Sequence, residues 1–134
     1  MAYTTIDDPS AYFQTTLYTG NGGTLAVTNG GNSDLQPDWL WLKKRNASVN
    51  HFLFDSVRGA SKELNSNNTE AEASPSNYLS SFNSDGFTIG SDSDINGSSD
   101  THVAWQWKET ADAGFDIVSY SGNNSTNRQI SHSL

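Results

Sequence analysis

The aromatic and aliphatic residues of this chain occur in short blocks of strand length, separated by connections rich in Ser, Asn, Gly and Asp. In residues 102–108, HVAWQWK, large apolar side chains alternate with polar ones, and in residues 38–44, DWLWLKK, both alternating faces are apolar. Alternation with a period of two is typical of β-strands, and a strand that is apolar on both faces belongs at the centre of a covered sheet. No block repeats with the 3.6-residue period of an amphipathic helix. The pattern therefore predicts an all-β fold.

The blocks predict eight short strands joined by turns. Gly and Asn residues at 20–23 and 29–33, and the Asp-Gly pair at 85–86, supply the backbone conformations that tight turns need. Such a succession favours an antiparallel β-sandwich of the lectin-like or jelly-roll-like type. The predicted strands are residues 12–18, 24–28, 38–44, 51–57, 78–82, 86–90, 102–108 and 115–120.

The alternation also predicts which side chains form the core. In residues 102–108 we expect the face of Val103, Trp105 and Trp107 to be buried and the face of His102 and Gln106 to be solvated. The expected core consists of Leu40, Trp41, Phe52, Phe54, Phe87, Ile89, Val103, Trp105, Trp107 and Ile117.

The composition of the chain argues against two classes of partner, nucleic acids and membranes. The chain has 134 residues, and 15 acidic against 7 basic residues give a formal net charge of −8. This acidity opposes binding to nucleic acid and to anionic membranes, because both require a cationic surface. There are no cysteines, and no run approaches the roughly 20 apolar residues of a membrane span. We therefore expect neither a nucleic-acid partner nor insertion into a membrane.

One segment recurs in outline 102 residues later in the chain. Residues 13–21, FQTTLYTGN, and residues 115–123, FDIVSYSGN, share Phe, Tyr, Gly and Asn in register, and Thr24 is matched by Thr126. A recurrence at this spacing indicates a tandem array, and the alternative is coincidence between two strands that each end in a turn. We expect an N-terminal arm at 1–11, a sandwich at 12–112 and the start of a second, truncated repeat at 113–134. On that hypothesis the chain begins a longer polypeptide.

Five motifs occur in fixed order along the chain. They are Tyr18-Thr19-Gly20-Asn21-Gly22; Leu35-Gln36-Pro37-Asp38 with Trp41 and Lys43-Lys44-Arg45-Asn46; Phe54-Asp55-Ser56-Val57-Arg58-Gly59; Ser81-Phe82-Asn83-Ser84-Asp85-Gly86-Phe87; and Val103-Ala104-Trp105-Gln106-Trp107-Lys108. With the opening residues 6–13, these motifs resemble a repeat domain of fibre-like structural proteins of marine bacteriophages, of the cyanophage and pelagiphage kind. The resemblance covers most of residues 10–125.

The resemblance implies a virion protein, located in the tail or a fibre, that serves assembly and attachment to the host surface. It implies other virion or tail proteins as partners and a homo-oligomer, with a trimer preferred. It implies no catalytic residues. We therefore expect a non-enzymatic protein, and the alternative is a carbohydrate-active depolymerase with a glycosidase carboxylate pair among Asp38, Asp55 and Glu63.

Residues 92–100 contain the first half of a calcium-loop pattern. The candidate oxygen ligands are Asp92, Asp94, Asn96 and Asp100, but the position of the closing bidentate glutamate is occupied by Val103. Asp, Asn and Ser also bond to their own backbone in turns, with Gly97 suited to the turn itself. The residues thus favour a polar turn without a cofactor, and a weak calcium site is the alternative.

Two further sets of residues are candidates for contacts. Trp39, Tyr78 and Tyr120 are candidates for contact with a host-surface glycan, because exposed aromatic rings beside polar loops suit sugar binding. Each of them could instead belong to the core. Lys43, Lys44 and Arg45 form a basic cluster in an acidic chain, which suits either a subunit contact or a solvated strand end. Asp55 and Arg58 are expected to form an ion pair.

Overall fold

The computed structural model describes residues 6–134 and contains two antiparallel sheets packed face to face. A five-stranded sheet has the order β1-β8-β3-β4-β5, and a three-stranded sheet has the order β2-β7-β6. The predicted antiparallel β-sandwich is confirmed. The strands are β1 Phe13–Thr19, β2 Leu25–Val27, β3 Trp39–Lys44, β4 Phe52–Asp55, β5 Leu64–Asn65, β6 Leu79–Asn83, β7 Gly86–Ile89 and β8 Thr101–Trp107.

Seven of the eight predicted strands are present, with ends that differ by one or two residues. The eighth is wrong, since residues 116–134 contain no strand and Phe115 makes only an isolated bridge with Thr110. The prediction also missed the two-residue β5 and a single helical turn, α1 Ser93–Asn96. No helix in residues 6–134 is long and apolar enough to cross a membrane.

The core lies between the two sheets. In the five-stranded sheet Leu40 pairs with Phe54 and Leu42 with Phe52, so that large side chains line one face of the central strands. The three-stranded sheet places Phe87 and other apolar residues against them. Burying each such side chain stabilises the fold by about 1.5–3 kcal/mol. The buried cluster consists of Val27, Leu40, Leu42, Phe52, Phe54, Leu79, Phe87, Ile89, Ile95 and Ala104.

The predicted facing of β8 is wrong for its tryptophans and for its polar residues, while Val103 is buried as predicted. His102, Ala104 and Gln106 point into the sandwich and are buried, whereas Trp105 and Trp107 lie on the opposite face and are half-buried. The register explains this, because Gln106 pairs with Leu40 and Ala104 with Leu42, whose side chains face the core. A strand with a small residue and two polar ones on its inner face is tolerated because Gln106 has buried polar partners.

The outer face of the five-stranded sheet carries all four tryptophans. Trp41 packs edge to face on Trp105 with ring centroids 5.7 Å apart, and Phe13 packs on Trp107 at 4.8 Å. All these rings retain some exposure. The sealed core therefore lacks four residues that were predicted to belong to it, which are Trp41, Trp105, Trp107 and Ile117.

The chain before β1 is joined to the sandwich by polar contacts. Residues Pro9–Ala11 form one 3₁₀ turn, which Asp8 caps by accepting from the Ser10 amide. The Ser33 hydroxyl also donates to Asp8, at 2.7 Å. The last four residues of the predicted N-terminal arm, 8–11, are thus joined to the sandwich through Asp8 and Ser10, and its first five residues lie outside the described part of the chain.

The hairpin between β6 and β7 follows the predicted Asp-Gly turn. Asn83 pairs with Gly86 across Ser84 and Asp85. Gly86 has φ 103°, and a Cβ at this position would overlap the carbonyl of Val27. Glycine is thus required here both for the backbone conformation and for the approach of β2.

Candidate functional site

A cleft opens where residues 115–120 cross the outer face of the five-stranded sheet. It has a volume of about 320 Å³, and a smaller depression of about 270 Å³ adjoins it at Trp39. We call it the Trp39 cleft. It is lined by Trp39, Asp55, Arg58, Leu64, Ile117, Val118, Ser119 and Tyr120.

The sheet side of the Trp39 cleft is rigid. Trp39 is held in β3 between Asp55 on one neighbouring strand and Trp107 on the other. The predicted Asp55–Arg58 ion pair is confirmed, with Arg58 Nε 2.5 Å from Asp55 Oδ2. Arg58 Nη1 also lies 3.2 Å from a Glu72 carboxylate oxygen. An aromatic ring therefore lies beside a guanidinium whose orientation is fixed by two carboxylates.

The opposite side of the cleft is formed by irregular chain. Phe115 exchanges backbone hydrogen bonds with Thr110 and stacks on Trp107, with centroids 6.3 Å apart. Further along, Tyr120 is 64% exposed, and the guanidinium of Arg128 lies 5.5 Å from its ring centroid. The structure thus brings Trp39 and Tyr120, two of the three predicted glycan contacts, to one cleft.

Two carboxyl groups meet beside the smaller depression. Glu109 and Asp116 hydrogen-bond to each other. That bond, with some burial, raises the pKa of Glu109, while bonds from the Ser133 amide and from Glu109 lower the pKa of Asp116. Within the pair, Glu109 therefore binds a proton more readily than Asp116 does. Neither residue was among the predicted site residues. Their only sequence signal is that both flank a short turn closed by Gly114, which has φ 69°.

The three carboxylates named for a glycosidase pair have other partners. Asp55 is paired with Arg58. Asp38 accepts hydrogen bonds from the Ser56 hydroxyl and the Glu109 amide, and Glu63 accepts one from Asn65. Only Asp55 lines the Trp39 cleft.

Comparison with known proteins gives one match. Residues 8–134 match DUF7483, a family of domains of unknown function. The chain belongs to the DUF7483 family. No curated protein and no solved structure matches it.

The third aromatic candidate of this DUF7483 domain, Tyr78, does not line the Trp39 cleft. Its ring packs edge to face on Phe52, with centroids 5.4 Å apart. Burial, with the nearby charges of Asp92 and Glu63, raises the pKa of Tyr78 to about 12. A larger depression of about 490 Å³ runs along β1, but it is lined by Thr, Gly, Gln and Leu residues and by no aromatic or charged one. The cleft therefore remains the better candidate for a ligand in this DUF7483 domain.

The basic cluster is largely occupied within the DUF7483 domain. Lys44 Nζ lies 2.6 Å from Asp100 Oδ2, and Lys43 Nζ donates to the carbonyls of Lys44 and Ala47. Arg45 is exposed. A subunit contact by this cluster stays a prediction, and Arg45 is the residue best placed to make it.

The oxygen-rich loop at 92–100 is held by internal hydrogen bonds. Asp92 caps α1 by accepting from the Asp94 amide, and Asp100 bonds Lys44 and Asn46. Asn96 is fully buried and donates to the carbonyls of Gly23 and Gly90. Within residues 6–134 no group of three or more His, Cys, Asp or Glu side chains is placed to hold a metal ion.

The prediction that Gly97 supplies the turn conformation of this loop is wrong. Gly97 has φ −56°, and the positive φ of 66° belongs to Ser99. A Cβ at position 97 would instead overlap the carboxylate of Asp100. Glycine is needed there for space.

A buried histidine lies beside the basic cluster. His102 stacks on Tyr18, with centroids 4.9 Å apart, and pairs in register with Lys44. Among the described residues neither ring nitrogen has a hydrogen-bond partner. Burial is the main cause of a lowered pKa for His102. The Asp100 charge opposes this shift, and the charges of Lys44 and Lys43 add to it.

We expect this DUF7483 domain to lose stability as the pH falls from 7 towards 5. The unfolded chain binds a proton at His102 near the ordinary pKa of 6.5, whereas the folded chain resists protonation, so that the free energy of unfolding falls with pH. His102→Phe preserves the stack on Tyr18 and should reduce the dependence of the free energy of unfolding on pH between 7 and 5. Urea unfolding at several pH values measures it, and His132→Phe, at an exposed position, is the control. Parallel curves for the parent and His102→Phe would contradict the assignment.

Proposed function

We propose that this domain is a module of a phage tail or fibre, which assembles in the virion and attaches to a host-surface glycan without turnover. The Trp39 cleft is the observation that carries attachment. The ordered motifs of residues 10–125, and their resemblance to marine phage structural proteins, support the virion location. We therefore propose other tail proteins and a host glycan as its partners.

The chemistry of the cleft suits a sugar. Trp39 offers a flat apolar ring, on which the apolar face of a pyranose can stack, and it is held by its two neighbouring strands. Arg58 places guanidinium hydrogen-bond donors in the same cleft, and the buried Asp55 holds it in position. Concave sites of this kind, with apolar walls and a few convergent polar groups, are typical of small-ligand binding.

A homo-oligomer, with a trimer preferred, follows from the same resemblance. Several copies of a shallow cleft would bind a polysaccharide through effective concentration, so that each copy need not bind tightly. The exposed Arg45 is the proposed subunit contact in this acidic chain. Analytical ultracentrifugation of the chain and of Arg45→Glu tests this contact.

Trp39→Ala should weaken binding of the host-surface polysaccharide at least about tenfold, because loss of a central aromatic anchor costs about 2 kcal/mol. Tyr120→Ala should have a smaller effect, since its ring is mostly exposed. Isothermal titration calorimetry with the purified polysaccharide measures both.

Trp105→Ala is the matched control for this experiment. Trp105 lies on the same outer face of the sheet and is also half-buried, but it does not line the cleft. The Trp105→Ala variant should therefore be less stable than the parent but bind the polysaccharide with the same affinity. Equal affinity of Trp39→Ala and the parent would refute the proposed site.

A depolymerase is the second candidate, and the Glu109–Asp116 pair favours it. Two carboxyl groups beside the smaller depression at Trp39, of which Glu109 binds a proton more readily than Asp116, resemble the acid and the base of a glycosidase. The two carboxyls contact each other, so that a glycosidic bond would have to enter between them. New reducing ends released from the polysaccharide, and absent with Glu109→Gln, would establish this second function over the first.

The virion location has its own test. Electron cryomicroscopy of the intact particle should place copies of the domain on the tail or its fibres. Finding the chain inside the capsid, or absent from purified virions, would overturn this part of the proposal whatever the binding data show.

A further inference from the structure

The residues that recur between 13–21 and 115–123 are those that fix β1 in the sandwich. Phe13 packs on Trp107 at 4.8 Å. Tyr18 donates its hydroxyl to the carbonyl of Ile95 at 2.8 Å and stacks on His102. The corresponding residues of the second segment are Phe115 and Tyr120. The second segment therefore has aromatic rings at the two positions where β1 uses an aromatic ring for a specific contact.

Gly20 and Asn21 have equally specific contacts. A Cβ on Gly20 would overlap the backbone carbonyl of Gly97, which cannot move aside as a side chain could. The Asn21 amide donates to Asn96 Oδ1 at 2.9 Å, and its own Oδ1 accepts from the Gly23 amide. Gly122 and Asn123 occupy the same positions in the second segment. The four shared residue types are thus the ones that docking in the β1 position requires.

In this structure the second segment does not pair with β8, although Phe115 stacks on the same Trp107 ring that Phe13 contacts. Residues 116–123 form no strand, and Val118 and Tyr120 are exposed by 42% and 64%. Besides that stack, the segment is held by the bridge at Phe115, by Arg128 over the Tyr120 ring and by polar contacts such as that between the Ser133 amide and Asp116. The segment carries the side chains of an edge strand but lies across the sheet as irregular chain.

We propose that residues 115–123 are a second β1 strand, which pairs with the β8 strand of another sandwich of this same fold. Its register would repeat that of β1, in which Phe13 pairs with Trp107 and Tyr18 with His102 of the partner strand. Sequential sandwiches would then be joined by a short connection. The sheet side of the Trp39 cleft would remain in place, because Trp39, Asp55 and Arg58 belong to the first sandwich.

The second segment departs from β1 at two inward-facing polar residues. The first is Gln14, which is buried. Its Nε2 donates to the carbonyls of Ser10 and Ser33 and its Oε1 accepts from the Gly31 amide, whereas the matching residue is Asp116.

The second is Thr16, which accepts from Gln106 Nε2 at 3.0 Å and donates to Asn29 at 2.7 Å, whereas the matching residue is Val118. A partner with Gln106 and Asn29 would lose these two bonds, which still leaves Gln106 and Asn29 bonded to each other. A graft that tests the proposal must therefore be made both with and without the exchanges at positions 14 and 16.

The first experiment grafts the second segment into β1 of the whole chain. The graft that keeps Gln14 and Thr16 should unfold within a few degrees of the parent, and the full graft at a lower temperature. A third chain, carrying the same grafted residues shifted by one position, should fail to fold, because a one-residue slip moves every side chain to the other face. The full graft consists of Gln14→Asp, Thr15→Ile, Thr16→Val, Leu17→Ser and Thr19→Ser.

The second experiment supplies the partner sandwich. Residues 1–123 are followed directly by a second copy of residues 22–112, so that 115–123 is the only β1 strand available to that copy. Two folded sandwiches are expected by heteronuclear NMR. Gly122→Val should unfold the second one and spare the first, in which position 122 is exposed. A positive control places native residues 13–21 before the second copy.

Each outcome of the two experiments either supports or contradicts the proposal. Failure of the graft that keeps Gln14 and Thr16, or equal folding of the shifted graft, overturns the proposal. So does a tandem chain whose second copy folds only in the positive control. These results do not depend on glycan binding, so that the proposed function and this inference can fail independently.

Discussion

Replacing Asn96 by alanine should lower the free energy of unfolding by about 3 kcal/mol or more. The Asn96 side chain accepts from the Asn21 amide and donates to the carbonyls of Gly23 and Gly90, all at 2.9 Å or less. Removing it leaves these three backbone groups without this partner, and each unsatisfied buried group costs about 1–3 kcal/mol. Asn96 thus joins the β1–β2 turn, the end of β7 and α1.

Urea denaturation followed by tryptophan fluorescence measures this loss. Asn46→Ala is the matched control, because the Asn46 side chain also bonds the 92–100 loop, through Asp100, but is exposed. Asn96→Asp should be intermediate, since it keeps the acceptor for the Asn21 amide and loses both donors. A loss below about 1 kcal/mol for Asn96→Ala would contradict the role assigned to this side chain.

Replacing Gln106 by alanine should cost about 2–4 kcal/mol, for a related reason. Gln106 is fully buried on the inner face of β8 and exchanges two hydrogen bonds with Asn29, at 2.6 and 3.1 Å. Thr16 completes the cluster. Its removal creates a cavity and leaves Asn29 with unsatisfied groups in a low-dielectric interior.

A double-mutant cycle with Asn29→Ala isolates this interaction. Because the two amides bond each other, the double variant should be less destabilised than the sum of the two single variants, with a coupling of about 0.5–3 kcal/mol. The Gln36→Ala variant is the control, at an exposed glutamine. Additive effects would show that Gln106 acts through packing alone.

The sheets could be predicted from the sequence because strand-length blocks and Gly or Asn turns are local signals. The facing of β8 could not. In residues 101–107 the large apolar side chains lie on one face and the polar ones on the other, yet the polar face is the buried one. The compensating partners, Asn29 and Thr16, are 77 and 90 residues distant in sequence. No pattern within the strand itself carries that information.

The candidate site was predictable in part for the same reason. Trp39 and Tyr120 were recognised individually by their chemistry, and the ion pair of Asp55 with Arg58 by its spacing. Their union in one cleft depends on how residues 115–120 cross the sheet. The oxygen ligands at 92–100 illustrate the opposite case. The side chains with calcium-like spacing have three different roles within the fold. Asp92 caps α1, Asp100 pairs with Lys44, and Asn96 is a buried amide that donates to the Gly90 carbonyl.

The pairing of β1 with β8 determines when this domain can fold. β1 is the edge of the five-stranded sheet, and among the strands of residues 6–134 it pairs only with β8, the last of them. On the ribosome β1 emerges before the other seven strands and has no ladder partner until residue 107 has left the exit tunnel. Closing such a long loop is entropically costly, so that sheets built this way fold in milliseconds to seconds. The nascent chain must therefore keep the aromatic β1 segment unpaired while strands β2 to β8 are synthesised.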